Sequence, residues 1–373
     1  MVMKVPFFNY PHVFTAQENE FLRVLKDVGS RGAFIMQQDL QNFEQRIAAY
    51  CGVKYAVGVA NATDGLQLGL MAGGIEAGDE IIICSHTMIA TASAIHFAGA
   101  IPVPVEVGSD HTIDPDAITG AITPKTKAIM PTQLNGRIAD MAAIQSIADQ
   151  YGLDIYEDAA QALGAKFQGQ YAGTFGKCAC ISFYPAKILG GLGDGGLVLT
   201  ADKEIYDKLL LLRDHGRAND GDVTIWGFNS RLDNLQAAFL NFQFDNYEQV
   251  ITRRREIAAQ YQELLKDVDQ VDLPPGPSMN SDHFDVFQNY EIEAQQRDKL
   301  KAFLADNGIG TLIQWGGKAV HQFTKLGFDQ VLPFTEKVFT RLLLLPLNMS
   351  ITDAEVSYVA EKIIAFYRNN KKI

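Results

Sequence analysis

The chain has 373 residues, of which 47% are hydrophobic and 20% charged, and its formal net charge is -12. These values are typical of a folded globular enzyme built from one large and one smaller domain. The negative net charge argues against sequence-independent binding of nucleic acid, which depends on clustered lysines and arginines. It does not exclude binding of an anionic small molecule.

The first residues, MVMKVPFFNYPHVF, lack the charged start, long apolar core and cleavage site of a signal peptide. No apolar run reaches the roughly 18 residues that a membrane helix needs. The four cysteines contain no CxxC pair and are interpreted as buried thiols rather than ligands: Cys51, Cys84, Cys178 and Cys180. We therefore expect a cytoplasmic protein without a membrane partner, a nucleic-acid partner or a metal site.

From about residue 55 to 200, short apolar runs alternate with helix-like segments. This pattern is typical of an α/β fold, in which helices cover both faces of a mostly parallel sheet. Two segments, 64–74 and 139–152, place apolar residues three and four apart and end at glycine, as amphipathic helices do. Seven runs are predicted to be strands of one large sheet: 55–60, 80–84, 102–107, 128–132, 154–158, 181–184 and 196–200.

The second half of the chain begins with a helical pattern. Residues 234–268 are rich in helix formers and free of Pro and Gly, which predicts one long or broken helix that bridges two domains. The Pro- and Gly-bearing stretch 273–282 ends this pattern, and a smaller αβ pattern continues to a terminal helix at 352–370. The sequence therefore predicts a large domain at 1–250 and a small C-terminal domain at 251–373.

Two strand ends carry complementary chemical groups. Asp158 ends one predicted strand and Lys187 follows another, and in parallel sheets ligands bind beyond the carboxyl ends of the strands. An enzyme that uses pyridoxal phosphate needs a carboxylate to keep the pyridine nitrogen protonated and a lysine amine to condense with the aldehyde. Taken alone, Asp158 could instead cap a helix starting near Ala159, and Lys187 could be a solvated loop lysine.

Two nearby segments have patterns that are found at phosphate-binding sites. Gly191, Gly193 and Gly196 spell GxGxxG, but a dinucleotide-binding turn opens a helix, whereas these residues lead into the strand-like run LVLT. We expect tight turns or close backbone approach beside a ligand instead. Residues 61–64 join a strand to a helix, so their N–H groups can bind a phosphate, unless Thr63 or Asp64 simply caps the helix.

Spaced blocks in the right order resemble the DegT/StrS-type sugar aminotransferases, pyridoxal phosphate proteins with the aspartate aminotransferase (fold type I) architecture. The blocks cover almost the whole chain and include NATDGLQLGL, SHTMIATASAI, EDAAQALGAKF, ISFYPAKILGGLGDGG and GFNSRLDNLQAA. The resemblance implies that Lys187 forms the Schiff base with the cofactor and that Asp158 contacts the pyridine nitrogen. It further implies that Gln161 lies near the phenolic oxygen.

The same resemblance assigns the phosphate contacts and an oligomeric state. Ser182 and the turn of Ala62 and Thr63 would hold the cofactor phosphate. The family's asparagine at the position of Asn229 reaches the phosphate of the neighbouring subunit's cofactor, which implies a homodimer with shared active sites.

Two departures from the family pattern concern the cofactor. Met88 stands where relatives commonly carry an aromatic residue on the pyridine ring, so either Met88 or His86 is the candidate for that contact. Ala62 replaces the usual glycine of the phosphate turn and removes no donor. Some relatives replace the Schiff-base lysine by histidine and act as dehydratases, so Lys187 favours transamination.

The resemblance implies transfer of the amino group of glutamate to a nucleotide-linked keto-deoxyhexose, at carbon 3 or carbon 4. The product would be an amino sugar for a polysaccharide or a glycoconjugate. Tyr184, Arg231, Trp315 and His321 are candidates to contact the sugar, and Trp315 could equally be a core residue. The alternative function is a cofactor-binding sensor or scaffold of the same fold that turns over no sugar.

Overall fold

The computed structural model describes residues 3–277 and 282–370, so positions 278–281 of the predicted break at 273–282 lie outside the described residues. The strands are β1 (Tyr55–Val59), β2 (Glu80–Cys84), β3 (Ile101–Val105), β4 (Thr126–Met130), β5 (Asp154–Asp158), β6 (Lys166–Phe167), β7 (Gln170–Tyr171), β8 (Cys178–Ser182), β9 (Gly196–Thr200), β10 (Val271–Asp272), β11 (His283–Phe284), β12 (Tyr290–Ala294) and β13 (Leu342–Leu345). The helices are α1 (Tyr10–Thr15), α2 (Glu18–Arg31), α3 (Gln38–Cys51), α4 (Ala62–Ala72), α5 (Ile89–Phe97), α6 (Pro115–Ala121), α7 (Met141–Tyr151), α8 (Lys203–Arg213), α9 (Asn234–Phe244), α10 (Tyr247–Leu265), α11 (Arg297–Asp306), α12 (Pro333–Phe339) and α13 (Asp353–Asn370).

The large sheet has seven strands in the order β1-β9-β8-β5-β4-β2-β3. Strand β9 runs antiparallel to both of its neighbours, and the other pairings are parallel. The predicted α/β class with one mostly parallel seven-stranded sheet is therefore confirmed. The largest difference in bounds is at β8, which starts at Cys178 rather than at Ile181, so that Phe183 and Tyr184 lie beyond its end.

Both faces of the large sheet are covered by apolar side chains. In β2, Ile82 belongs to one buried cluster, whereas Ile81 and Ile83 belong to another. Successive strand residues point to opposite faces, so these clusters lie on the two sides of the sheet. This double burial explains the nearly continuous apolar runs in the sequence. The four cysteines are free and buried, as predicted.

The predicted bridging helix is broken rather than continuous. It forms α9 and α10, with Asp245 and Asn246 between them. Helix α9 packs against α3 of the first half of the chain, and α10 packs against α13. A third apolar cluster joins α10, α11 and α13 to the small sheet β10-β12-β13. Within the described residues, no helix is both long and apolar enough to cross a membrane.

Candidate active site

Asp158 lies at the carboxyl end of β5, where it is buried and held by two donors. Thr91 Oγ1 donates to Asp158 Oδ2 at 2.6 Å, and the Ala160 backbone N–H donates to Oδ1 at 3.2 Å. Burial raises the pKa of Asp158, while these hydrogen bonds and the charge of Lys187 act to lower it. No helix begins at Ala159, so the interpretation of Asp158 as a helix cap is wrong.

A chain of buried hydroxyl groups leads to this carboxylate. Thr132 Oγ1 donates to Thr87 Oγ1 at 2.9 Å, and the hydroxyls of Thr87 and Thr91 lie 2.7 Å apart. These threonines were not predicted from the sequence. Their signal was that Thr87 follows the predicted strand 80–84 and Thr132 ends the predicted strand 128–132, at the sheet edge where Asp158 ends its own strand.

Lys187 lies in the turn after β8, where its backbone N–H donates to the Tyr184 carbonyl at 2.8 Å. The residue is half-buried in a cavity wall, and enclosure of its amine lowers the pKa of Lys187 to about 8, against the opposing effect of Asp158. An amine with this pKa is partly deprotonated near neutral pH. Lys187 is therefore not the solvated loop lysine of the alternative interpretation.

Gln161 and Ser182 line one small cavity together with Lys187. The Asn135 backbone N–H donates to Gln161 Oε1 at 2.8 Å, which orients the side chain so that its NH2 group is the available donor. Ser182 Oγ accepts a hydrogen bond from the Tyr184 N–H at 3.3 Å. The structure thus brings four predicted residues, these three and Asp158, to one edge of the sheet.

The turn before α4 is close to Ser182. Ala62 and Thr63 are the first residues of α4, and N–H groups in the first turn have no partner within a helix. Asn61 is the N-cap, accepting from the Asp64 N–H at 2.9 Å, so the alternative interpretation of Thr63 or Asp64 as the helix cap is wrong.

Gly196 confirms the predicted close backbone approach. It pairs with Ser182 in the sheet, and a Cβ atom at Gly196 would lie 2.5 Å from the Asn61 carbonyl carbon. The glycine run leads into β9 and not into a helix, as predicted. The missing side chain lets the turn of Asn61 and Ala62 lie directly on the sheet beside Ser182.

Asn229 and Arg231 lie at a separate, open part of the surface. Asn229 is exposed, and Arg231 Nη1 makes an ion pair with Asp214 Oδ1 at 2.7 Å. Both residues line a cavity of about 470 Å³ that also includes Ala60 and Gly193. The structure therefore does not bring Asn229 into the cavity that Lys187 shares with Gln161 and Ser182.

Met88 and His86 have opposite environments. Met88 is the N-cap residue of α5 and is 52% exposed. His86 is fully buried, with the rings of Trp315 and Phe339 edge-on to it at centroid distances of 5.1 and 4.8 Å. No face of the His86 ring is open to a cofactor, so the structure favours Met88 over His86.

The remaining candidates for sugar contacts differ in accessibility. Tyr184 is half exposed and hydrogen-bonds to the side chain of Tyr10. Trp315 is half-buried and packs against the core, consistent with its alternative interpretation. His321 is 2% exposed, and its Nδ1 lies 2.7 Å from the hydroxyl of Ser85.

These groups fit pyridoxal phosphate. The cofactor needs an amine that can lose its proton, a carboxylate for the pyridine nitrogen and donors for the phosphate. Lys187 has a lowered pKa, Asp158 is fixed at the sheet edge, and the backbone nitrogen of Ala62 lies against Gly196, the sheet partner of Ser182. The fold and this site define a pyridoxal phosphate-dependent aminotransferase of fold type I.

Comparison with known proteins agrees with this class. The pattern of the DegT/DnrJ/EryC1/StrS aminotransferase family matches residues 15–364, and the chain belongs to this family. The family expected from the sequence blocks is thereby confirmed, together with the fold type, the aminotransferase activity and the cofactor.

Individual relatives extend over most of the chain. A protein of Geobacillus stearothermophilus called pleiotropic regulatory protein is 38% identical over 371 residues, covering 98% of this chain and all of the relative. The dTDP-3-amino-3,4,6-trideoxy-alpha-D-glucose transaminase of Streptomyces venezuelae is 39% identical over 314 residues, covering 84% of this chain and 82% of its own. The crystal structure of S. venezuelae DesV in complex with a ketimine intermediate superposes with a TM-score of 0.93 at 36% identity, covering 97% of this chain and 98% of that chain.

Proposed function

We propose that this aminotransferase transfers the amino group of glutamate to carbon 3 or carbon 4 of a nucleotide-linked keto-deoxyhexose. The reaction would take place in the cytoplasm and make an amino sugar for a polysaccharide or a glycoconjugate. The observation that carries the chemistry is the enclosed Lys187 amine, with a pKa of about 8, beside the buried Asp158. The similarity to the S. venezuelae sugar transaminase supports the nucleotide-sugar substrate class.

Lys187 and Asp158 have different roles in the proposed reaction. When bound, pyridoxal phosphate accepts the electrons of the carbon that loses its proton. Lys187 moves this proton, since a base with a pKa near the working pH transfers protons efficiently in both directions. Asp158, oriented by Thr91 and Ala160, holds the proton on the pyridine nitrogen.

The other cofactor contacts position the reacting atoms. In this proposal the Gln161 amide donates to the phenolic oxygen, because its own oxygen is already bonded to Asn135. Ala62, Thr63 and Ser182 bind the phosphate, and Met88 covers one face of the ring. These contacts orient the cofactor and leave the Lys187 amine free to reach the substrate carbon.

A cavity of about 320 Å³ next to Lys187 is the proposed place for the substrate. It lies between the lysine turn and the N-terminal residues 7–10, and its volume is at the lower end for small-molecule sites. Tyr184 contacts Tyr10 at this side of the chain and is the most accessible of the proposed sugar-binding residues. Arg231 would approach the sugar from the opening that it shares with Asn229.

Two further proposed sugar contacts are less accessible. Trp315 has part of its ring exposed, so it can contact a ligand while still packing on the core. His321 is bound to Ser85 and shielded from solvent, so a sugar contact requires it to leave that hydrogen bond.

We also propose a homodimer with shared sites. The loop before Asn229 exposes apolar side chains, among them Val223 at 60% and Trp226 at 96%, and exposed apolar patches of this kind mark protein interfaces. Asn229 would follow this interface loop to the phosphate of the partner's cofactor. A mixture of two inactive variants, Asn229→Ala and Lys187→Ala, tests this directly.

In a mixed dimer with shared sites, one active site receives Lys187 from the first chain and Asn229 from the second and is intact. Activity should therefore reappear after the two variants are unfolded and refolded together. If Asn229 serves its own chain, both sites of the mixed dimer are defective and no activity returns. The same mixture of Lys187→Ala with Lys187→Arg is the control, because it contains no intact site in either arrangement.

The proposed division into a large domain at 1–250 and a small domain at 251–373 has support from packing. Helices α10, α11 and α13 share an apolar cluster with the sheet β10-β12-β13. Val5 belongs to the same cluster and bridges to Ile309. The N-terminal residues would therefore move with the small domain and carry one wall of the substrate cavity with them.

Adding glutamate tests the proposed reaction and distinguishes an aminotransferase from a cofactor-binding sensor. The sensor remains the alternative because the G. stearothermophilus relative is called a regulatory protein. The aminotransferase should release one 2-oxoglutarate per active site and become loaded with pyridoxamine phosphate. A panel of nucleotide keto sugars should then restore the original cofactor spectrum with one of its members. A protein that releases no 2-oxoglutarate contradicts the proposed donor, and one that responds to no amino donor is a sensor or scaffold.

A further inference from the structure

A polar cluster that the proposed reaction does not use lies behind the cofactor edge of the large sheet. It contains His86, His111 and Glu291, whose side-chain nitrogen and oxygen atoms all lie within 4.8 Å of one another. His86 and Glu291 are fully enclosed, and His111 is half-buried. Residues so far apart in the sequence meet here only because strand β12 and the segments after β2 and β3 converge.

His86 has no partner for either ring nitrogen among the described residues. Buried polar groups are nearly always hydrogen-bonded, so two unpaired nitrogens on one fully buried ring require an explanation. Glu291 Oε2 lies 3.6 Å from His86 Nε2, which is too long for a hydrogen bond, and the backbone of His111 is the other polar group beside the ring. The ring is held in this position by Trp315 and Phe339, which also keep water out.

The other two residues are arranged as metal ligands are. His111 Nδ1 lies 2.9 Å from Glu291 Oε1, and His111 Nε2 lies 3.2 Å from Glu293 Oε1. A histidine that binds a metal through one nitrogen usually gives its other ring N–H to a carboxylate, which is the position of Glu293. The remaining oxygen of Glu291 accepts from Gln314 Nε2 at 3.0 Å, which fixes the carboxylate.

The side chain of Gln314 adjoins the cluster through its amide nitrogen, which is bound to Glu291 Oε2 and Asn135 Oδ1. This amide orients the Glu291 carboxylate. Two imidazoles and a carboxylate are ligands that Zn²⁺ prefers in proteins.

We infer that His86, His111 and Glu291 bind one divalent transition-metal ion of the Zn²⁺ type. Zn²⁺ binds nitrogen and carboxylate oxygen at about 2.0–2.2 Å, so atoms that share it lie at most about 4.4 Å apart. Small side-chain rotations suffice to bring the three groups within this limit. The ion replaces a proton between His111 and Glu291 and gives His86 its missing partner.

The position of the site indicates a supporting role for the cofactor-binding residues. Asn135 donates to Glu291 through its side chain and to Gln161 through its backbone N–H. A metal ion that fixes Glu291 would thereby fix the donor that we assign to the phenolic oxygen of pyridoxal phosphate. The inference of the metal itself does not depend on the proposed reaction.

Zn²⁺ binding to the full-length holoenzyme tests this inference. After dialysis against a chelator, the protein is titrated with Zn²⁺ against a coloured competing chelator, and the stoichiometry is measured by elemental analysis. We expect one Zn²⁺ per chain for the unmodified protein. We expect at least tenfold weaker binding for His86→Gln and Glu291→Gln, and unchanged binding for His96→Gln, a control at an exposed histidine.

Glu293→Gln serves as a second variant in case the ligand variants do not fold, because it keeps all three ligands. It should bind Zn²⁺ about tenfold more weakly, the lower end of the effect seen when a group that orients a ligand is removed. Co²⁺ in place of Zn²⁺ should give the intense visible absorption of a four-coordinate ion. The inference is overturned if the unmodified holoenzyme binds no stoichiometric Zn²⁺, or if His86→Gln and Glu291→Gln bind it as tightly as His96→Gln does.

Discussion

Replacing Thr91 by valine tests how the structure keeps Asp158 ionised. Valine has nearly the shape of threonine but lacks the hydroxyl that donates to Asp158 Oδ2 at 2.6 Å. Burial already raises the pKa of Asp158, and the Thr91 hydrogen bond is the first of the contacts that oppose this. Without it, the carboxylate keeps only the longer hydrogen bond from Ala160.

The magnitude follows from the kind of bond that is lost. A hydrogen bond to a charged group contributes about 1.5–3 kcal/mol. Every 1.4 kcal/mol or so is a factor of about ten in an equilibrium, so the ratio of ionised to protonated Asp158 should fall by about ten- to a hundredfold. A protonated Asp158 cannot hold the proton on the pyridine nitrogen. The acidic limb of the activity profile should therefore move to higher pH.

The assay is kcat/KM for the half-reaction with glutamate, measured between about pH 5 and 9, with the cofactor spectrum recorded at each pH. Thr91→Ser keeps the hydroxyl and should restore the original acidic limb. Thr132→Val removes only the far end of the hydroxyl chain and should have a smaller effect. The reasoning is refuted if Thr91→Val binds the cofactor normally and has the same acidic limb and rate as the unmodified enzyme.

Three other predictions concern the cofactor turn, the lysine and the packing. Gly196→Ala should weaken cofactor binding at least tenfold, because its Cβ would lie 2.5 Å from the Asn61 backbone. The control Gly120→Ala faces open space and should bind the cofactor normally, and equal affinities of the two variants in a spectroscopic titration would contradict this. The rate at which cofactor-free protein attaches pyridoxal phosphate should rise with pH and level off above about pH 8, where the Lys187 amine is deprotonated, and a rate still rising at pH 10 would show an ordinary lysine. Arg254→Met leaves three buried backbone carbonyls without their donors. It should lower the free energy of unfolding, measured by urea titration, by about 3 kcal/mol or more. A loss below about 1 kcal/mol would mean that water replaces the guanidinium.

The fold could be predicted from the sequence because its main signal is strong and local. Buried strands between helices give short apolar runs, and each of the seven runs became a strand of the large sheet. The start of β8 was placed too late, since Cys178 and Ala179 are small and weakly apolar compared with Ile181. The alternative of a helix cap at Thr63 or Asp64 overlooked Asn61, because several neighbouring residues can cap a helix equally well.

The proposed catalytic pair could be selected from the sequence because Asp158 ends one strand and Lys187 follows another, where parallel sheets bind ligands. The contacts that complete the site were not, because they join distant parts of the chain. Thr91 meets Asp158 across 67 positions, and His111 meets Glu291 across 180, so neither contact has a spacing that a motif could reveal. No metal site was expected from the sequence, because the cysteines form no CxxC pair, and His86 was considered only as a contact of the pyridine ring.

Peptide mapping after borohydride reduction tests the central claim most directly. The holoenzyme is reduced, digested and sequenced by mass spectrometry, so that a lysine joined to the cofactor retains a stable pyridoxyl group. The account predicts this group on Lys187, at about one per chain, and its absence from the same peptide of Lys187→Arg. A pyridoxyl group on another lysine, or on none, would contradict the assignment of Lys187 on which the site and the reaction depend.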